Sequence, residues 1–124
     1  LSMAAGRAAL LEVLTPGAFE RAQALGARMA DGLETAIRAA GLRWSVARMG
    51  PHAYYGFAPA PARNAIESRA NDRPGLRAFM RVWMANRGIW ESGWWLGPTV
   101  SLAHTADDID LYVERFAECL EAIS

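Results

Sequence analysis

The chain has 124 residues with 13 basic and 13 acidic side chains, so its formal charge is zero. That length supports one domain with a real core. The charge balance gives no electrostatic case for a nucleic-acid partner or an anionic membrane. The single cysteine, Cys119, excludes an internal disulfide and fits a reducing compartment, so a cytoplasmic location is expected. The start has no basic-then-apolar signal layout, and charges break the longest helical stretches, so no membrane span is expected. All thirteen basic residues are arginine, which leaves no side-chain amine to form a Schiff base.

In chain order, residues 3–14 place Leu10, Leu11 and Leu14 on one side of a helix. This helical phrase, LSMAAGRAALLEVL, is already under way at Leu1, which reads as the interior of a longer protein. Thr15-Pro16 restarts the helix, with Thr15 as cap and Pro16 at the first helical position. Phe19, Leu25, Met29, Leu33 and Ile37 form its apolar face, and Gly41 ends it. Trp44–Met49 and Ala53–Phe57 then read as two strands joined by a turn at Gly50-Pro51-His52.

Residues 58–62 are a short Pro/Ala connector, and the polar residues 64–71 are ambiguous, with room for one helical turn. Asp72 is positioned to cap a helix over Pro74–Arg87, with Leu76, Phe79, Met80, Trp83 and Met84 inward and Gly88 as its stop. Ile89-Trp90 reads as a short strand, Ser92-Gly93 as a turn, and Thr99–Ala103 as the last strand. A final helix presents Ile109, Tyr112, Val113, Phe116, Leu120 and Ile123 to the core. The expected fold is a single α+β domain, residues 1–124. Its small, mostly antiparallel sheet has three to four strands, with helices packed on one face.

His104 with Asp107 and Asp108 invites a metal or acid/base reading. Thr105 followed three residues later by Asp108 is instead a capping-box arrangement, with the acidic residues at the positive end of the helix dipole. No third ligand stands at a metal-site spacing, and His52 lies apart in a turn, so no metal is expected. There is no Gly-x-Ser-x-Gly elbow and no Gly-x-Gly phosphate loop. Cys119, beside Leu120, reads as a structural thiol. Trp44 and Trp83 fit core faces. Trp90, Trp94 and Trp95 crowd a loop and strand edge, where adjacent Trp94 and Trp95 point to opposite sides if extended. Burial under another domain is the favoured reading of that edge, and a pocket wall the sharper one.

Two segments carry a family resemblance. LSMAAGRAALLEVLTPGAFERAQALG resembles the start of the C-terminal domain of class III (fold-type I) pyridoxal-phosphate aminotransferases. RGIWESGWWLGPTVSLAHTADDIDLYVERF is similar to the segment of the glutamate-1-semialdehyde 2,1-aminomutase group that leads into the last helix. The resemblance covers essentially the whole chain.

It implies a homodimeric parent that moves amino groups to or from small-molecule donors, using pyridoxal 5'-phosphate as electron sink. The cofactor lysine and ring-holding groups would lie in a missing large domain. By that reading this chain holds no catalytic and no cofactor-binding residue, binds no cofactor alone, and is inert alone. Semialdehyde aminomutases usually carry Phe-Glu-Ala-Gly where this chain has Trp95-Leu96-Gly97-Pro98, so their glutamate is missing. Many other class III transaminases place an arginine nearby, where Gly97 is the nearest equivalent. Trp94, Trp95 and Leu96 are therefore candidates for an apolar substrate-pocket rim. The alternative is a self-standing α+β binding module that uses its Trp-rich surface.

Overall fold

A computed structural model describes residues 2–91 and 97–124. The expected turn at Ser92-Gly93 and the rim candidates Trp94, Trp95 and Leu96 lie outside the described residues. The helices are α1 (Ser2–Ala8), α2 (Pro16–Ala39), α3 (Ala65–Asn71), α4 (Pro74–Ala85) and α5 (Ala106–Glu121), and the strands are β1 (Ser45–Met49) and β2 (His52–Gly56). The α+β class is as expected. Among the described residues the sheet has two antiparallel strands, in register from Ser45 opposite Gly56 to Met49 opposite His52. No helix is long and apolar enough to cross a membrane among these residues.

The first helical stretch is shorter than its periodicity predicts. After α1 the chain widens into a π-helical turn, Ala9–Val13, and neither segment buries a residue. Leu10 and Leu11, expected on a packed face, are 67% and 59% exposed. Apolar spacing makes a helix amphipathic, but only a partner surface buries it.

Thr15 then caps α2 by accepting from the Ala18 amide, and Pro16 occupies the first turn. Met29, Leu33 and Ile37 are buried as expected, whereas Phe19 lies half exposed. Gly41, at φ 68°, ends the helix in a Schellman closure: Leu42 N donates to Ile37 O and Gly41 N to Arg38 O. The β1–β2 turn needs only Gly50-Pro51, because His52 already pairs with Met49. Gly50 takes the positive φ of 59° that tight hairpins require, and Pro51 follows with its ring-fixed φ.

Asn64 caps α3 through the Glu67 amide, so the polar stretch 64–71 forms a true short helix. Asp72 does not cap α4. Its carboxylate accepts from the Arg73 amide and from the Arg77 guanidinium, and Arg73 holds the cap position with no side-chain bond. Met80 and Met84 are buried on α4, but Phe79 is 45% exposed. Ile89-Trp90 forms no strand, and Thr99 contributes one isolated bridge, to His52.

The core lies between α2, α5 and one face of the hairpin. Leu33, Phe116, Leu120 and Cys119 are fully enclosed, with Ala53 and Tyr55 pointing in from β2. The two long helices approach closely at Gly32, where a Cβ would lie 2.5 Å from Val113 Cγ2. Arg28 clamps Asp110 across the same interface with two hydrogen bonds of 2.6 Å.

Candidate functional site

The cluster around His104 is a helix start. Thr105 N and Oγ1 both donate to Asp108 Oδ2 at 2.8 Å, and Asp108 N donates back to Thr105 Oγ1 at 3.3 Å. This is the capping box expected from the sequence. The Thr105 amide, followed by its hydroxyl, holds the Asp108 carboxyl below its ordinary range. His104 Nδ1 accepts from the Ser101 amide at 2.8 Å, which places the proton of a neutral ring on Nε2.

Ser101 Oγ lies 3.2 Å from the same ring nitrogen. That nitrogen already accepts an amide and Asp108 already binds Thr105, so the group lacks the base-plus-orienter order of a nucleophilic triad. Asp110 is drawn off to Arg28, which holds its carboxyl below the ordinary range. His52 is engaged elsewhere, its Nδ1 lying 3.1 Å from Thr99 Oγ1. No group of three or more metal-ligating side chains occurs among the described residues.

What His104 does border is a cavity of about 440 Å³ between the end of α4, residues 97–104 and α5. Gly88, at φ 83°, closes α4 and turns Ile89-Trp90-Glu91 across the cavity. Met29, Ile89, Trp90 and Leu111 form its apolar wall, while Glu91, Ser101, His104 and Tyr112 are polar. Tyr112 OH donates to Glu91 Oε1. Burial, and then the Glu91 charge, push the Tyr112 hydroxyl well above its ordinary range, so it stays a donor.

Glu91 escaped sequence reasoning because its partner comes 21 residues later and only the fold joins them. No local pattern marks it. The other candidates are placed plainly. Cys119 is fully buried, and burial pushes its thiol up to about 11, which suits a structural role. Trp44 packs edge-on to Phe57 at 4.8 Å. Trp83 is half-buried under the Arg87 guanidinium, 3.4 Å above its ring. Trp90 is 76% exposed, with Arg81 at 5.6 Å from its ring centre.

No family model matches the chain. Among solved structures, a glutamate-1-semialdehyde-aminomutase from Pseudomonas aeruginosa PAO1, in complex with PMP, superposes on 95% of this chain with a TM-score of 0.91 at 24% identity, using 26% of its own length. A transaminase with PLP bound superposes on 91% of the chain at a TM-score of 0.71 and 28% identity, using 25% of its own length. The fold is thus that of one segment of the class III aminotransferases that use pyridoxal phosphate.

Within that class the sequence relatives are glutamate-1-semialdehyde 2,1-aminomutases. The chain is 31% identical over 121 residues to "Glutamate-1-semialdehyde 2,1-aminomutase 2" of Brevibacillus brevis, covering 98% of this chain. It is 31% identical over 124 residues to the Sorangium cellulosum enzyme, covering all of it. The chain spans about 28% of the length of these relatives.

Pyridoxal phosphate does not fit this cavity. The sequence has no lysine, no arginine lines the cavity among the described residues, and the wall carboxylates Glu91 and Asp108 would repel a phosphate.

Proposed function

We propose that this chain is the C-terminal small domain of a longer pyridoxal-phosphate-dependent enzyme, a transaminase or aminomutase. Its large domain would supply the cofactor, the lysine and the acid/base groups. One observation carries the reading. The whole chain aligns with a 28% share of an aminomutase, and 26% of a solved aminomutase superposes on 95% of it. The bare apolar surface of α1 and the π-helical turn supports it, since that face is suited to cover by a further domain.

In this reading the chain alone is inert, and the parent is a cytoplasmic homodimer acting on small-molecule amines. Trp94, Trp95 and Leu96 form an apolar rim to its substrate pocket. The third strand belongs to the same proposal. Ala53 N donates to Pro98 O and Val100 N to Pro51 O, so an antiparallel pairing along β2 has already begun around the His52–Thr99 bridge. The alternative, a self-standing binding module, gains no support from a first helix without a buried side.

The test compares the longer protein with the isolated chain. With added cofactor and an amine donor, the longer protein should transfer the amino group to a 2-oxo acid, and the chain should not. Failure of the longer protein to take up cofactor would overturn the reading. Trp95→Ala in the longer protein should change the preference among donors, and an unchanged preference would remove the rim assignment.

A further inference from the structure

The cavity beside α5 contains a carboxylate that no cation answers among the described residues. Glu91 is half-buried, and none of the ion pairs among the described residues includes it. Asp108, the other carboxylate on the wall, is engaged by Thr105. Residues 92–96 read SGWWL and add no charge by composition.

Two features mark Glu91 as built in place. Its Oε1 accepts from Tyr112 OH, whose own residue is only 6% exposed on α5, so the carboxylate is tethered to the core. Apolar side chains, Met29, Ile89 and Leu111, line the space around it. A fixed carboxylate beside an apolar wall offers a counter-charge to an ammonium group, and the wall gains by covering a hydrocarbon stem. A volume of about 440 Å³ suits a small organic ligand.

We propose that this cavity binds an organic ammonium ion with an apolar stem. Glu91 supplies the counter-charge, and Tyr112 acts as the positioning residue that fixes the carboxylate. In the enzyme proposed above, the site selects donors that carry a second cationic group, such as alkyl diamines. That extension rests on the aminotransferase reading, whereas the binding itself does not.

The experiment is calorimetric titration of the longer protein with 1,4-diaminobutane, using butylamine, butanoate and butan-1-ol as comparison probes. Both ammonium ions should bind, and butanoate should not. Glu91→Gln should weaken diammonium binding by about 10- to 100-fold, the range for a hydrogen bond to a charged group. Tyr112→Phe should weaken binding of both ammonium ions several-fold and leave that of the uncharged butan-1-ol unchanged, a pattern that loss of general packing would not give. Circular dichroism confirms that each variant is folded.

Absence of diammonium binding, or binding unchanged in Glu91→Gln, overturns the proposal. A protein that transfers amino groups yet ignores the diamine would sink this site and leave the enzyme reading intact. Diamine binding through Glu91 without amino transfer would do the reverse.

Discussion

Replacing Gly32 by alanine probes the contact that sets the distance between α2 and α5. A Cβ at residue 32 would lie 2.5 Å from Val113 Cγ2 and 2.9 Å from Cγ1, inside van der Waals contact. Val113 is β-branched and sits on a helix, where one χ1 rotamer dominates, so its methyl groups cannot swing aside. Overpacking of this kind costs about 1–3 kcal/mol. Alanine regains about 1 kcal/mol of helix propensity over glycine, which leaves a net loss of roughly 1 kcal/mol.

Val113→Ala alone removes two methyl groups from a half-buried site and should cost about 1 kcal/mol. In the double variant the new methyl occupies the space that Val113 vacates. Its stability should then return to within about 0.5 kcal/mol of the parent, against a loss of about 2 kcal/mol from the summed singles. Urea denaturation of the four proteins measures the coupling. Strict additivity would refute the claim that these two residues set the helix separation.

Phe116, fully enclosed and packed against Tyr55 at 5.0 Å between ring centres, should cost about 3–5 kcal/mol on truncation to alanine, read by the same denaturation. Thr105→Ala should cost about 1 kcal/mol through loss of the cap, and carboxyl titration by NMR should show Asp108 moving up toward its ordinary value. The Asp108 and Asp110 carboxyls are both held low in the folded chain, by Thr105 and Arg28 respectively. They therefore contribute stability above the ordinary aspartate pKa, about 3.9, and that contribution fades as pH falls below it. Arg28→Met should flatten the Asp110 part of this profile, and an identical profile would count against the clamp. Burial raises the Cys119 thiol, so its contribution is complete below about pH 8.5 and is lost as pH rises toward about 11. A disulfide reagent at pH 8 should react with it only on unfolding.

Local rules carried far in this sequence, and they failed where a partner surface decides. The Thr15-Pro16 start, the Gly41 stop and the Thr105–Asp108 box depend on neighbours within a few residues, and each is present in the structure. The apolar spacing of α2, α4 and α5 located most of the core, since periodicity is a property of one helix. It could not tell that Phe19, Leu10 and Leu11 are left half or more exposed among the described residues. Asp72 looked like a cap until Arg77, one turn into α4, took its carboxylate. The extent of pairing at Thr99 depends on how residues 97–101 approach β2, which no local pattern encodes.

The candidate site divides the same way. The His104 cluster was legible as a capping box because the box is local. The Glu91–Tyr112 pair was invisible because it joins the end of α4 to the middle of α5. The resemblance added what no spacing could: that the chain matches one portion of a larger aminomutase.

The most direct measurement is the coding sequence upstream of Leu1. The account predicts a Gly-Thr-x-Ser-x-Asn-Pro stretch immediately before it and a lysine some tens of residues earlier, within a large domain. A start codon or an unrelated sequence there would contradict it.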